Sequence, residues 1–342
     1  MGCELCSTID SLDLGNEYNN SGGLFRFINK SGECYINSFL QIFLHNKLIT
    51  DVIYSINQND INKEQNEGKL INAINKLLTE IQNNVMILNP IEIKDAMICI
   101  NEEYKNNNAD ANDFICDFIN ELISEIPRKE EFKINIPNNE IASQALAKLI
   151  NRFYKRNNSI FLELFFGNSI IEYYCIKDHL IDIKFNTFIT IDLSLYSFKD
   201  KKTIKIEELL DNTFNTIKEQ DLTKTCKICG DNNNYYEKNY IYSLPKILIL
   251  YISRNFENCF YDNKIEFKKE INMEKYIKYN NKINANYMLF GIIQNINGHY
   301  NSATVNNNDN NWYFFNDDYE PSKANEELNK FNPVFLFYSL IN

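Results

Sequence analysis

The chain has 342 residues, 44% of them hydrophobic and 24% charged, with a formal net charge of −11. That apolar content supports a folded core and excludes a disordered or collagen-like chain. The acidic balance, without any basic stripe, argues against a nucleic-acid binder and for a basic partner. No apolar run reaches the roughly 18 residues of a membrane span, and Met1–Cys6 lacks the regions of a secretory signal. With nine cysteines at irregular spacing, the expected setting is a reducing interior, cytoplasmic or nuclear, and not secretion. Asn is abundant, 56 against 5 Arg, so a single Asn carries little weight by itself.

Residues 1–21 are polar and glycine-punctuated and read as a loosely held tail. A helix begins at Cys34, where Ile36, Phe39, Leu40, Phe43 and Leu44 recur at helical spacing. Helical periodicity returns over Leu70–Ile81, Ile91–Ile100, Ala109–Ile126 and Ala142–Tyr154. From Phe161 the pattern changes to short runs of Ile, Phe and Tyr between Asn, Asp and Gly, which read as strands. They are Ile170–Cys175, Phe188–Leu195, Tyr235–Tyr242, Ile247–Ile252, Met288–Gln294, Tyr300–Val305, Trp312–Asn316 and Val334–Tyr338. No internal repeat or Pro/Gly linker divides the chain, so residues 22–342 are expected to form a single domain. Helices first and antiparallel strands second define an α+β class.

Three histidines narrow the search for a catalytic base. His45 lies eleven residues beyond Cys34 on the same predicted helix, about 16 Å of helical rise away, too far to serve it. His179 sits beside Cys175 near a strand tip. His299, in Gly298-His299-Tyr300 at a turn between two predicted strands, remains. Cys34 follows a Gly-containing loop and opens a helix, where backbone N–H groups and the helix dipole favour thiolate. The strand Trp312-Tyr313-Phe314-Phe315 ends in Asn316-Asp317, and a hairpin from His299 would bring that amide beside the imidazole, as the third member of a triad does.

These segments together resemble a known family. Asn29-Lys30-Ser31-Gly32-Glu33-Cys34-Tyr35-Ile36-Asn37-Ser38-Phe39-Leu40-Gln41 is similar to the Cys box of the ubiquitin-specific proteases, papain-like deubiquitinases with the pattern N-x-G-x-T-C-Y-M-N-S-x-x-Q. Gly298-His299-Tyr300 with Trp312 to Asp317 resembles that family's His box. Asp110-Ala111-Asn112-Asp113-Phe114 is similar to its D-A-x-E-F segment, and Leu244-Pro245 through Arg254-Asn255-Phe256 to its L-P-x-x-L-x-x-x-L-K-R-F strand. The resemblance spans about residues 23 to 340 and implies a right-hand architecture: a helical thumb at about 22–158, β-fingers at about 159–250 and a β-sheet palm at about 251–342.

The resemblance implies Cys34 as nucleophile, His299 as base, Asn316 as the third member with Asp317 as its alternative, and Asn29 as an oxyanion stabiliser. It places Asp110 and Asp113 where acids meet the Arg-containing tail of ubiquitin, with Gly298, Tyr300 and Trp312 lining the substrate channel. The reaction implied is hydrolysis of the bond after ubiquitin's C-terminal Gly, through a thioester and without a cofactor, by a monomer that needs neither membrane nor nucleic acid. A catalytically impaired ubiquitin-binding pseudoenzyme and a protease for another ubiquitin-like modifier are the alternatives.

Three departures stand out. Ser31 replaces the family's Gly, and Glu33 replaces the Thr before the nucleophile, where a nearby acid opposes thiolate. Gln294–Asn297, ahead of the His box, is short. Cys226-Lys227-Ile228-Cys229 is a CxxC half-site corresponding to the second zinc knuckle of the fingers. The first knuckle offers Cys175 with either Asp178 or His179, so Cys226, Cys229, Cys175 and His179 are the candidate ligands for a structural zinc, although a lone CxxC is a weak signal for one.

Overall fold

Helix α1 (Cys34–His45) is buried along all twelve of its residues, and its apolar side chains are met on every side. A polar stripe, Asn37, Gln41 and His45, recurs every four residues and faces the incoming N-terminal segment. Asn37 donates to Ile28 O, Gln41 donates to Phe25 O, and the His45 ring stacks on Phe25 at 4.5 Å. In this computed structural model the described residues are 24–64, 66–106, 109–128, 136–214, 218–220, 226–230, 235–257, 259–279 and 283–341. The expected tail at 1–21 lies outside them.

Helices α2 (Lys47–Tyr54), α3 (Lys69–Gln82), α4 (Ile91–Ile100), α5 (Ala111–Glu125), α6 (Glu140–Leu149) and α7 (Ile160–Phe165) share one hydrophobic core with α1. The helical first half is thus as the periodicity predicts, whereas α7 lies where the sequence suggested strand. One more helix, α8 (Ile206–Phe214), interrupts the strand region, and strand Leu180–Phe188 was not among the expected ones. Its run is apolar at alternate positions but broken by Asp182, Lys184 and Asn186, which face outward at least in part.

The larger sheet runs, in spatial order, Ser322–Lys323, Trp312–Phe315, His299–Val305, Asn286–Ile296, Pro333–Leu340, Ile247–Ser253 and Thr190–Ser194, with Glu270–Asn272 also pairing with Asn286–Ile296. The last pair in that order is parallel, so the sheet is mixed rather than purely antiparallel. Both faces are covered, which explains the unbroken apolar run at 247–252. Ile247 and Ile249 enter the core beneath α1, while Leu248, Leu250 and Ile252 enter a second core that includes α8. A four-stranded sheet orders Leu180–Phe188, Gly167–Cys175, Tyr235–Ser243 and Lys218–Gln220.

Two glycines set the geometry. At Gly291 a Cβ would lie 2.6 Å from Ile42 of α1, so only Gly lets the sheet approach the helix that closely. Asn297 and Gly298, with φ of 54° and 87°, make the two-residue turn of a hairpin whose closing pair is Ile296 and His299.

Glu125, fully buried, accepts the N–H groups of Leu70 at 3.0 Å and Ile71 at 2.8 Å at the start of α3. Burial outweighs those bonds and pushes its carboxyl up to about 7, from 4.5. A raised folded-state value means that the favourable contribution is complete below the unfolded pKa and is lost as pH rises through the folded one. Glu125→Gln is expected to remove a stability loss on the order of 2 kcal/mol between about pH 5 and 8, as read from urea unfolding across that range.

Candidate active site and metal centre

Cys34 opens α1 and is 7% exposed. Helix α1 packs on strand His299–Val305, so the N-terminus of the helix lies against the start of that strand. Burial pushes the Cys34 thiol up; the backbone N–H of Tyr300 counteracts this, the charge of Asp317 reinforces it, and the N–H groups of Tyr35 and Cys34 counteract it again. Backbone N–H groups at the helix start and at the residue after His299 thus oppose the effect of burial on the thiol. The His299 ring presents Nε2 to Asn316 Oδ1 at 2.6 Å. Since an amide oxygen only accepts, Nε2 carries the proton and Nδ1 is left free to take one.

Asp317 does something else. At φ 50° its carboxylate turns toward the Cys box, where Oδ2 accepts from Asn29 Nδ2 at 2.8 Å and Oδ1 from Asn37 Nδ2 at 2.7 Å. Oδ2 lies 3.6 Å from His299 Nε2, beyond hydrogen-bond reach. Asn29 Oδ1 accepts the N–H groups of Gly32 at 3.0 Å and Glu33 at 3.1 Å, so Asn29 braces the loop ahead of the nucleophile. His45 is 5% exposed, and burial holds it down at about 4, a neutral core histidine.

Asp110 caps α5, its carboxylate accepting from Asn112 N at 2.7 Å and Asp113 N at 3.1 Å. Both acids are exposed, and the charge of Asp110 reaches Tyr251 and Tyr300, which places it beside the cleft at His299. Burial, then the charges of Asp110, Asp117 and Glu103, pushes Asp113 up. Trp312 corrects an expectation: it is 5% exposed within the second core and packs the sheet instead of lining a channel.

At the tip of the smaller sheet, Cys175, His179, Cys226 and Cys229 bring their ligand atoms within 4.8 Å of one another. The sulfurs of Cys175 and Cys229 are 3.8 Å apart, and His179 Nδ1 is 3.5 Å from Cys175 and 3.8 Å from Cys226. Tetrahedral zinc, with bonds of about 2.3 Å to S and 2.0 Å to N, requires edges of roughly 3.5–3.8 Å. The donor set therefore fits zinc. Backbone N–H groups of Cys229 and Ile228 bring the Cys226 thiol down to about 6, against its burial. Asp178, the other residue considered for this knuckle, accepts instead from Tyr236 Oη. The ion would tie two hairpins together. Chelation, or Cys229→Ser, is expected to lower Tm on the order of 5 °C while leaving the rate of Cys34 alkylation unchanged, as measured by thermal unfolding and iodoacetamide kinetics.

A sequence profile described as Ubiquitin carboxyl-terminal hydrolase matches residues 25–338. The chain belongs to this family. Among its relatives, Ubiquitin carboxyl-terminal hydrolase 8 of Saccharomyces cerevisiae is 25% identical over 354 aligned residues, covering 93% of this chain and 71% of that protein. Two solved structures share the fold. The SAGA DUB module of Ubp8, Sgf11, Sus1 and Sgf73 bound to monoubiquitin matches with a TM-score of 0.74 at 22% identity, over 94% of this chain and 70% of that one. The same module bound to ubiquitin aldehyde matches at 0.71 and 21%, over 95% and 71%.

Within this hydrolase family, the replacement of Thr by Glu33 before the nucleophile has a structural answer. Glu33 turns back onto its own loop, Oε2 accepting from Lys30 N at 2.9 Å and Ser31 N at 2.8 Å, and Oε1 from Ser31 Oγ at 2.6 Å. Lys94 of α4 meets it at 2.8 Å. Burial pushes the Glu33 carboxyl up, but the bonds from Lys94 and Ser31 outweigh that and hold it down at about 2. Sequence reasoning missed Lys94 and Asn37. Asn37 follows Cys34 by one helical turn, a signal that could have been read; Lys94, 61 residues from Glu33, gave none.

Proposed function

We propose that this hydrolase cleaves the bond after the C-terminal Gly of ubiquitin, with Cys34 as nucleophile, His299 as general base and Asn316 orienting the imidazole. The observation that carries this reading is the 2.6 Å bond from His299 Nε2 to Asn316, which fixes the tautomer on the strand packed against the helix that Cys34 opens. Nδ1 takes the thiol proton as sulfur attacks the carbonyl carbon, then returns it to the leaving amine, leaving a thioester. Water, deprotonated by the same nitrogen, attacks the thioester and releases the carboxylate and the Cys34 thiol. The developing oxyanion is met by the Cys34 N–H and by the second amide hydrogen of Asn29.

Asp110 and Asp113 would receive the arginines of the ubiquitin tail beside Tyr300, two residues after the turn glycine Gly298; the −11 charge favours that basic partner. The solved relatives are bound to monoubiquitin and ubiquitin aldehyde, which supports the choice of modifier. All the groups in the mechanism come from one chain, so a monomer suffices for the chemistry, and a catalytic thiol fits a reducing interior. No helix among the described residues is long and apolar enough to cross a membrane.

The test is a ubiquitin probe with a C-terminal thiol-reactive warhead, run beside probes ending in the tails of other ubiquitin-like modifiers. A covalent adduct with the ubiquitin probe, lost in Cys34→Ala, is expected. Binding to unmodified ubiquitin without an adduct would make the domain a reader, and an adduct only with another modifier would change the substrate.

A further inference from the structure

We propose that Lys94 is a positioning residue for catalysis: by pairing with Glu33 it braces the loop of residues 29–33 and neutralises the carboxylate that precedes the nucleophile. The inference rests on Cys34 being the nucleophile, as set out above. Both partners are buried, with side chains 9% and 5% exposed, so water does little to screen or replace the pair.

The loop is cross-braced by two acceptors. Glu33 takes the backbone N–H groups of Lys30 and Ser31, and Asn29 Oδ1 takes those of Gly32 and Glu33. Four consecutive backbone donors ahead of Cys34 are thereby spent inside the loop. None of them is left for the oxyanion, and the position of Asn29 depends on the loop holding this shape.

The shape depends in turn on an ionised Glu33, and Lys94 is the one cation bonded to it among the described residues. Lys94 belongs to α4, which is anchored by buried Ile93, Ala96 and Met97, so the brace is tied to the helical layer and not to solvent. Without Lys94, a carboxylate one residue from Cys34 would either remain charged, opposing thiolate, or take up a proton and lose its strongest bonds to the loop.

Lys94→Met, Lys94→Arg and the double variant Glu33→Thr/Lys94→Met test this with two readouts: kcat and KM on a ubiquitin–fluorophore substrate, and the rate of Cys34 alkylation by iodoacetamide, which needs no modifier. Lys94→Met is expected to lower kcat at least tenfold with KM within twofold, and to slow alkylation. Lys94→Arg restores most of both, and the double variant, which removes the unpaired charge, reacts with iodoacetamide faster than Lys94→Met. A folded Lys94→Met with wild-type kcat and alkylation overturns the proposal, as does a double variant no faster than the single one. Should Lys94→Met fail to fold, the double variant is compared with wild type: alkylation within threefold supports the proposal, and a slower rate refutes it. If wild type is alkylated at Cys34 but does not turn over the ubiquitin substrate, the substrate assignment fails while the alkylation series still decides the role of Lys94.

Discussion

Cys34→Ala is expected to abolish turnover, with kcat falling on the order of 10⁵-fold or more, and His299→Ala to come close to it, because nucleophile and base act as one unit. The two losses should not add: the double variant is expected to be no worse than Cys34→Ala alone. KM should change little in either, since neither group supplies the contacts that hold a folded modifier. The variants should differ toward small electrophiles. Cys34→Ala removes the reactive thiol, whereas His299→Ala keeps it, with the N–H groups of Tyr300, Tyr35 and Cys34 still lowering its pKa. Residual alkylation in His299→Ala, absent in Cys34→Ala, would separate the part of thiolate stabilisation that belongs to the helix start from the part that belongs to the imidazole. Equal turnover in His299→Ala and wild type would remove His299 from the mechanism.

The helical layer and the juxtaposition of His299 with Asn316 were legible for a physical reason. Helix α1 and strand Asn286–Ile296 carry patterns imposed by burial, and the Asn297-Gly298 turn with its two positive φ values is a local signal that announces a hairpin. The next hairpin, in which Val305 pairs with Trp312 and Ser302 with Phe315, then brings Asn316 level with the start of the His299 strand. Strand Leu180–Phe188 and α7 were less readable, because short apolar runs fit helix and strand alike and are decided by what packs on them. The buried pairing of Glu33 with Lys94 lay outside the reach of sequence: a Lys on an amphipathic helix resembles any solvated one, and only the fold brings it 2.8 Å from an acid 61 residues earlier. At the metal knuckle the cluster brings in His179, whereas Asp178, at φ 60°, bonds to Tyr236.

The same kind of decision separates Asn316 from Asp317, and here the expected results run in opposite directions. Asp317→Asn is expected to lower kcat by about 10²-fold, because Asn29 and Asn37 lose the carboxylate that holds both their amides and the oxyanion donor is no longer fixed. Its charge also raises the Cys34 pKa, so its removal should bring the thiol down and make Cys34 alkylate faster at neutral pH. A variant with a more reactive thiol and slower turnover identifies a group that acts on the transition state through Asn29 and not on the nucleophile. Asn316→Ala should show the other pattern: turnover falls because the imidazole loses its orientation and tautomer, with no fall in the Cys34 pKa, since that residue carries no charge. Steady-state kinetics beside an alkylation profile from about pH 5 to 9 measures both. If Asp317→Asn leaves kcat untouched, or moves the Cys34 titration upward, the carboxylate is not the brace for Asn29 and its bonds at 2.8 and 2.7 Å serve only to close the sheet onto α1.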